Sequence, residues 1–538
     1  MFILLTTLWF VWMVKYILFW LYLWQLKDYH IGRFIDHFRT HKGKKLIFNF
    51  FQIFKLFLLV LFLTSSVPFD YLFYILLLVY FCEFILFLKG FFTRSIKEPV
   101  KTAKALFLVA VSLAVVVIFL INVSSFEKLF QPALFLIFDI LLPLIILVIT
   151  LIFQPMFVLI RDSKLNKAKN KLEKIKPISG LRVVAITGSY GKTSTKEFLS
   201  TILSKKFKVL KTKEHQNSEI GVAKCILNDL KLDHQIFIAE VGAYNKGKVK
   251  EVCQMIRPSI GIVTGVNEQH LALFGSLKNL LSAEGGGELA GLLPKDGLLI
   301  VNGDNKHCLD LLKKSNNLPA SQEKIYALDN KKIDSDIWAE SITIHKDRVS
   351  FIAANKFGEL SHFDARVLGR QNVQNLLGAI LTAKEMGMSF EEISEACKDI
   401  RQEQAGMILK QGKHGIDIID SSYSANPDGV LADLDYLSVF EQKKVIIMPC
   451  LIELGGKSSE IHEKIGRKIG QVCDLAIITT KDEFEQIRRG ALAVGMEGKN
   501  ILFLDKLEEI HYTVTLFCKS GDVVLIEGRV PSELVNFL

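Results

Sequence analysis

The sequence predicts an N-terminal α-helical transmembrane bundle of about five spans followed by an α/β portion. That portion is a central parallel-sheet domain with a phosphate loop and a smaller Rossmann-like α/β domain at the C-terminus. Three observations predict this. Half of the 538 residues are hydrophobic and the mean hydropathy is positive, too apolar for an ordinary soluble enzyme, and the excess is concentrated in the first 160. The apolar run Leu181–Ile186 (LRVVAI) leads into Thr-Gly-Ser-Tyr-Gly-Lys-Thr-Ser at 187–194 and then into the helical stretch Thr195–Lys205. Short apolar runs at Ile236–Glu240, Ile260–Gly265, Ile416–Ile419 and Asp522–Ile526 then read as buried strands. The length fits about two to four domains. The expected segments are a transmembrane domain at 1–160, a basic linker at 161–180, a central domain at 181–403 and a C-terminal domain at 404–538.

The spans fall near 3–25, 46–66, 70–91, 103–122 and 132–156, each about 20 residues and enough to cross a bilayer. The first is not a cleavable signal peptide: it lacks a basic start, and further spans follow. Lys and Arg crowd into 27–45, 89–104 and 161–176, whereas 67–69 has none and 123–131 only Lys128. That alternation predicts an outside N-terminus, a multi-pass arrangement in the cytoplasmic membrane and a cytoplasmic C-terminal half. In the second run Asn49, Gln52 and Lys55 recur every three residues, which also fits the wet face of an interfacial helix. The flanking basic loops favour spanning. Lys15, Glu83 and Asp139 lie inside apolar runs, where charges either pair within the bundle or serve a function. Arg161–Pro177 reads as a Lys-rich helix along the membrane surface.

The net charge of +10 lies largely beside the apolar runs and suggests a membrane-lipid partner. No basic-aromatic interleaving of a nucleic-acid module is present. The eight cysteines form no CxxC pair, which excludes a zinc ribbon and indicates reduced thiols in place of a disulfide framework.

The turn at 187–194 suits a nucleoside triphosphate. Gly188 and Gly191 let backbone N–H groups wrap phosphate, with Ser189, Tyr190 and Ser194 completing the loop. Lys192 reaches the outer phosphates, and the Thr193 hydroxyl sits on Mg2+. Glu240 ends one predicted strand, and His270 follows another. In open α/β sheets ligands collect at the C-terminal strand ends, so both converge toward the phosphate loop as catalytic and metal-binding candidates.

The loop is shorter than the general phosphate-loop pattern, because Ile186 stands where that pattern has its first glycine. Its form T-G-S-x-G-K-T-S resembles the Mur ligase superfamily, and in particular the branch that adds D-alanyl-D-alanine to a UDP-N-acetylmuramoyl tripeptide. In the same order follow QNSEIG at 216–221, IAEVGA at 238–243, GVNEQHLALFGS at 265–276, Leu293–Asp304, GRQNVQN at 369–375, DSSYSANP at 420–427 and ELG at 453–455. The resemblance implies a membrane-tethered, ATP- and Mg2+-dependent carboxylate–amine ligase of peptidoglycan precursor synthesis. Its partners would be ATP, a cell-wall precursor peptide or lipid-linked precursor, and an amino acid or dipeptide amine. The substrate carboxylate takes the γ-phosphoryl group, and the amine then displaces phosphate from the acyl phosphate. It further implies that Asn302, Asn372, Asn375 and Asp420 bind the nucleotide, and that Asn217, Tyr423 and Asn426 meet substrate.

Four departures qualify the resemblance. Membrane spans stand where the family has its uridine-nucleotide domain. Glu284, in Ala283-Glu284-Gly285-Gly286-Gly287-Glu288, occupies the place of a carboxylated lysine and offers its carboxylate to the metal directly. Ala405-Gly406-Met407 lacks the family's arginine, for which Arg401 or Arg370 could substitute. Gln371 replaces a histidine, and Pro449-Cys450 replaces Gly-Asp before the ELG turn. Alternative readings are a Mur-like ligase for another lipid-linked or polyglutamate-type acceptor and a nucleotide-binding scaffold without turnover. A transporter is disfavoured, since no second nucleotide-binding half is present.

Overall fold

The computed structural model describes residues 1–27, 29–47, 49–64, 67–214, 216–314, 318–330, 333–423, 425–531 and 533–534. The chain divides into two compact units, Met1–Asp162 and Ser163–Leu538. All eight cysteines are free, and seven are buried.

The first unit is helical. Its elements are α1 (Phe2–Leu26), the short α2 (Ile31–Arg39) and α3 (His41–Ile47), α4 (Phe50–Thr64), α5 (Phe69–Phe92), α6 (Ala103–Val123), α7 (Gln131–Ile152) and the start of α8 (Gln154–Ser179). Five helices are long and apolar enough to cross a membrane, the second running Gly43–Thr64. Residues 48, 65 and 66 of the run expected at 46–66 lie outside the described residues. A helix of 21 residues such as α6 rises about 32 Å, matching a hydrocarbon core of about 30 Å. Outward faces are apolar too: Leu63, Leu78 and Ile118 are exposed, as in helices solvated by lipid.

The polar stripe of α4 faces the opposite way from an interfacial helix. Lys55 is fully buried, and its Nζ lies 2.8 Å from Glu83 of α5 and 2.6 Å from Asp139 of α7. Tyr80 OH donates to Asp139 Oδ2 at 3.0 Å. Trp12 Nε1 of α1 lies 3.4 Å from Asp139 Oδ1, and Gln52 donates to Tyr16 at 3.2 Å. Three-residue spacing marks one helix face but not what covers it. Here the cover is two carboxylates, because an ammonium buried among apolar side chains must be paired. Lys15 instead lies 4.8 Å over the Trp12 ring.

The Arg161–Pro177 stretch is helical, as part of α8, and its apolar side is buried in the second unit. Leu165, Ala168, Leu172 and Ile175 form a stripe of α8 buried in one core with Val183, Phe237 and Val263. Spacing of three and four residues puts them on one side of the helix.

The central sheet has nine strands: β1 (Arg182–Thr187), β2 (Val209–Lys211), β3 (Ile236–Glu240), β4 (Ile260–Val263), β5 (Leu298–Asn302), β6 (Glu323–Ala327), β7 (Ile337–Ile344), β8 (Val349–Asn355) and β9 (Leu360–Ala365). Their order is β2-β3-β1-β4-β5-β6-β7-β8-β9. β1 to β6 are parallel, and β7–β9 form an antiparallel extension. Burial on both faces explains why the parallel strands read as near-continuous apolar runs. One face packs α9 (Lys192–Leu203) and the helix Arg370–Glu385 through Phe198, Ile202, Leu376 and Ile380. The other packs the helices Glu219–Asp229 and Lys248–Ile256.

The C-terminal sheet contains β10 (Ile408–Gln411), β11 (Asp417–Ser421), β12 (Lys444–Met448), β13 (Leu475–Ile478), β14 (Ile501–Phe503) and β15 (Val523–Glu527) in the order β10-β11-β15-β12-β13-β14. All pairings are parallel except that of β10, an edge strand antiparallel to β11.

Candidate active site

The site gathers at the C-terminal ends of the parallel strands of both sheets. Register sets this up: Ile186 pairs with Glu240 and Thr187 with Val263, so the loop after β1 opens between the ends of β3 and β4. Gly191 has φ 75°, and a Cβ there would lie 2.4 Å from Asn375 Oδ1, so only glycine fits. Gly188 is as confined, since a Cβ would meet Thr264 Oγ1 at 2.2 Å. Ser189 N donates to Gly265 O at 2.7 Å, and Thr264 Oγ1 bonds the Tyr190 carbonyl. The loop is thus preshaped, with the N-terminus of α9 aimed into it, as phosphate requires.

Lys192 Nζ folds back onto the carbonyls of Gly188 and Ser189. Thr193 Oγ1 donates to Glu240 at 3.0 Å. The same carboxylate accepts Lys196 Nζ at 3.1 Å and Asn217 Nδ2 at 3.3 Å. Ser194 Oγ donates to the Ala405 carbonyl at 3.2 Å, where the chain enters the C-terminal domain.

A second cluster centres on Glu284, which is buried. Its Oε2 accepts Ser189 Oγ at 2.9 Å, and its Oε1 lies 3.2 Å from His270 Nδ1. His270 Nε2 faces Glu453 Oε2 of the C-terminal domain at 3.7 Å, and Tyr244 meets the imidazole edge-on at 5.4 Å. His270 and Glu453 are both non-glycine residues with positive φ, 66° and 69°. Glu453 O also accepts Ala272 N at 3.1 Å, so the turns after β4 and β12 meet backbone to backbone.

The asparagines divide. Asn302 Nδ2 donates to Thr264 O at 2.8 Å, and its Oδ1 accepts Gln374, bracing the turn behind the phosphate loop. Asn375 touches the loop at Gly191, whereas Asn372 donates to Leu368 O just before its helix and accepts from Asn375 within it. Asn426 caps the helix Pro427–Leu437 by accepting Gly429 N, and it also accepts Asn267 Nδ2 at 3.0 Å. Asp420 is held by Lys410 at 2.6 Å and by Ser422. Burial pushes its carboxyl up, but these bonds outweigh burial and leave it below the usual value. Tyr423 is 40% exposed. Its hydroxyl is pushed up to about 12 by burial, Glu240 and Glu214, against the opposing charge of Arg529.

Four participants escaped the sequence reading: Lys196, Asn267, Glu453 and Asp428. Asn267 Nδ2 also donates to Asp428 at 3.0 Å across the two domains, and burial raises the Asp428 carboxyl above its usual range. These links join elements distant in sequence; Asn267 and Glu453 lie in the stretches at 265–276 and 453–455, while Lys196 and Asp428 carried no signal.

A hydroxyl with a carboxylate suits Mg2+, which keeps most of its waters and takes one or two protein oxygens, so Thr193 and Glu240 fit that ion. Among the described residues no three His, Cys, Asp or Glu side chains are grouped to hold a metal. Glu284 and His270 bond each other directly.

Residues 186–383 match the Mur ligase middle domain, and 407–530 match the Mur ligase glutamate ligase domain. UDP-N-acetylmuramoyl-tripeptide–D-alanyl-D-alanine ligase of Haemophilus influenzae is 28% identical over 353 residues, 65% of this chain and 72% of that protein. The Escherichia coli ligase of the same name is 27% identical over 53% of this chain and 61% of that protein, so less than two thirds of its length is spanned. MurF of Acinetobacter baumannii has the same fold, with TM-score 0.61 and 22% identity over 69% of this chain and 78% of that one. MurF ligase of Thermotoga maritima, solved in complex with ADP, gives TM-score 0.59 and 23% identity over 69% and 80%.

Proposed function

The chain belongs to the Mur ligase family, and from that premise we propose that it is a membrane-tethered, ATP- and Mg2+-dependent ligase. In this reading it joins a peptidoglycan-precursor carboxylate to an amine, with D-alanyl-D-alanine as the first amine to test. The observation that carries this reading is the preshaped loop Gly188–Thr193, with Thr193 Oγ1 3.0 Å from Glu240 at the end of the neighbouring strand. ATP with Mg2+ supplies the phosphoryl group that activates the carboxylate.

The chain's own residues do the rest. Lys192 exchanges the Gly188 and Ser189 carbonyls for the outer phosphates, a short move of a flexible side chain. Thr193 and Glu240 offer oxygens to the ion. Lys196, buried against Glu240, holds that carboxylate in place. Contacts of Asn267 with Asn426 and Asp428, and of His270 with Glu453, bring the C-terminal domain over the loop. A closed cleft keeps water from the acyl phosphate. Catalysis here is positioning and charge neutralisation.

We further propose that the helical unit serves a lipid-linked acceptor and that the α/β unit is cytoplasmic. The five apolar helices stand where the family binds uridine nucleotide. The test is phosphate release by full-length protein with ATP, Mg2+ and D-alanyl-D-alanine, using Lys192→Ala as blank. The acceptor is offered as the soluble UDP-linked tripeptide or its polyprenyl-linked form. Turnover with the lipid form alone supports the lipid handle. Turnover with the soluble form reduces the spans to an anchor, and nucleotide binding without turnover on any acceptor refutes the ligase.

A further inference from the structure

The cleft is rich in carboxylates. It holds Glu240, Glu284, Glu453 and Asp428, while Ala405-Gly406-Met407 carries no basic side chain. Lys192 bonds loop carbonyls and Lys196 is tied to Glu240. Of the two arginines expected to compensate, Arg401 acts on Asp399, and Arg370 is exposed at the start of its helix.

Another arginine follows the C-terminal end of an interior strand. β15 lies between β11 and β12, and the chain leaves its C-terminal end as Gly528-Arg529. The turn is fixed: Gly528 N donates to Ser421 O at 3.1 Å, and Val530 N to Gly528 O at 2.8 Å. Pairing of Ser421 with Glu527 sets Arg529 beside the turn that carries Tyr423. Around Tyr423 lie Glu240, Glu214 and Tyr244 of the central domain, with Arg529 in electrostatic range. Arg529 is exposed and makes no hydrogen bond or ion pair with any described residue. It is thus a free guanidinium on the side of the cleft where Thr193 and Glu240 stand.

We propose that Arg529 is an oxyanion-binding residue of the cleft, taking an oxygen of the γ-phosphoryl group of ATP or of a substrate carboxylate. The inference rests on the ligase reading above and names a residue which that reading does not use. A guanidinium is planar and permanently charged, and it grips either oxyanion through two parallel N–H groups. Because it is carried by the C-terminal domain, it delivers that charge together with the domain.

The test uses full-length protein in nanodiscs, as wild type, Arg529→Ala and Arg529→Lys. The first arm measures Mg2+-dependent affinity for ADP and for the β,γ-imido analogue of ATP. Loss of about tenfold for the analogue in Arg529→Ala, the order of one charge-assisted hydrogen bond, with ADP unchanged, identifies the phosphoryl group. The second arm compares initial rates with D-alanyl-D-alanine and its C-terminal amide. Disappearance of a preference for the free carboxylate, with both nucleotides unaffected, identifies the carboxylate. Arg529→Lys should lie between wild type and alanine in whichever arm responds. An Arg529→Ala protein equal to wild type in both arms overturns the inference alone. A wild type that binds neither nucleotide overturns the ligase reading and this inference with it.

Discussion

Replacing Lys55 by methionine isolates what the ionic cluster of the helical unit contributes. The ammonium is fully buried, 2.8 Å from Glu83 and 2.6 Å from Asp139, which are themselves buried. Methionine has nearly the length of lysine, so the substitution removes charge with little change in volume and leaves two carboxylates side by side. Breaking a buried pair in this way costs about 3–5 kcal/mol, mostly from the charge left behind. For a unit of this size each kcal/mol moves the thermal midpoint about 2–4 °C, so Lys55→Met should lower it by roughly 6–20 °C. The assay is thermal unfolding of full-length protein in detergent at one fixed scan rate, alongside affinity for ADP as a check on the α/β unit. The triple variant Lys55→Met, Glu83→Gln, Asp139→Asn removes the stranded charges and should recover most of the loss. A Lys55→Met midpoint within about 2 °C of wild type, under 1 kcal/mol by the same conversion, would refute the reasoning. So would a triple variant as unstable as the single one.

Three further outcomes are expected. Gly191→Ala should weaken nucleotide binding at least about tenfold, since left-handed φ costs about 1–2 kcal/mol and the new Cβ would lie 2.4 Å from Asn375 Oδ1; Gly180→Ala, at φ 63° in open space, bears the strain alone and should keep ADP affinity. Glu284→Gln removes the charge that strengthens the bonds to Ser189 and His270, and at about 1.5–3 kcal/mol for a hydrogen bond to a charged group nucleotide affinity at fixed Mg2+ should fall. In the C-terminal domain Asp433 and Glu527 are buried together, and both carboxyls are raised by burial, Glu527 further by Asp433 itself. Their folded values exceed the unfolded value near 4, so this contribution to stability is fully present below about pH 4 and is lost as pH rises through the folded values. Protection of the 523–527 amides, corrected for intrinsic exchange, should therefore decline with rising pH, and Asp433→Asn should flatten the decline.

What the sequence made legible was whatever is local in the chain. The phosphate loop, its strand and its helix occupy one continuous stretch, and Glu240 and His270 follow from the rule that ligands meet strand ends. The partners of these residues were not legible. Lys196 sits four residues beyond Lys192 and looks like a solvated helix lysine, yet it is fully buried on Glu240. Glu453 lies in the ELG stretch, but its contact with His270 and its backbone conformation depend on the packing of two domains. The α4 stripe was visible as a face, while Glu83 and Asp139 were visible as isolated charges. That they neutralise one lysine is a tertiary fact. α8 shows the same limit: its lysines were legible, but that its apolar stripe packs into the α/β core is a tertiary fact.

The ionic cluster bears on why the chain would carry five apolar helices. Tethering asks for one span of about 20 apolar residues, and such a span gains nothing from buried charge. Here four helices contribute side chains to a single cluster: Trp12 from α1, Lys55 from α4, Tyr80 and Glu83 from α5, Asp139 from α7. Ionic partners in hydrocarbon tolerate little displacement, so the cluster fixes the register of those helices against one another. A fixed register has value only if the bundle has a shape to keep, and the proposed lipid-linked acceptor would give it one. The two ideas can be tested together at a temperature where Lys55→Met remains folded. Turnover lost on the polyprenyl-linked acceptor but kept on the soluble one would mean that the shape serves the substrate. Equal turnover on both would mean that the cluster stabilises the bundle and nothing more.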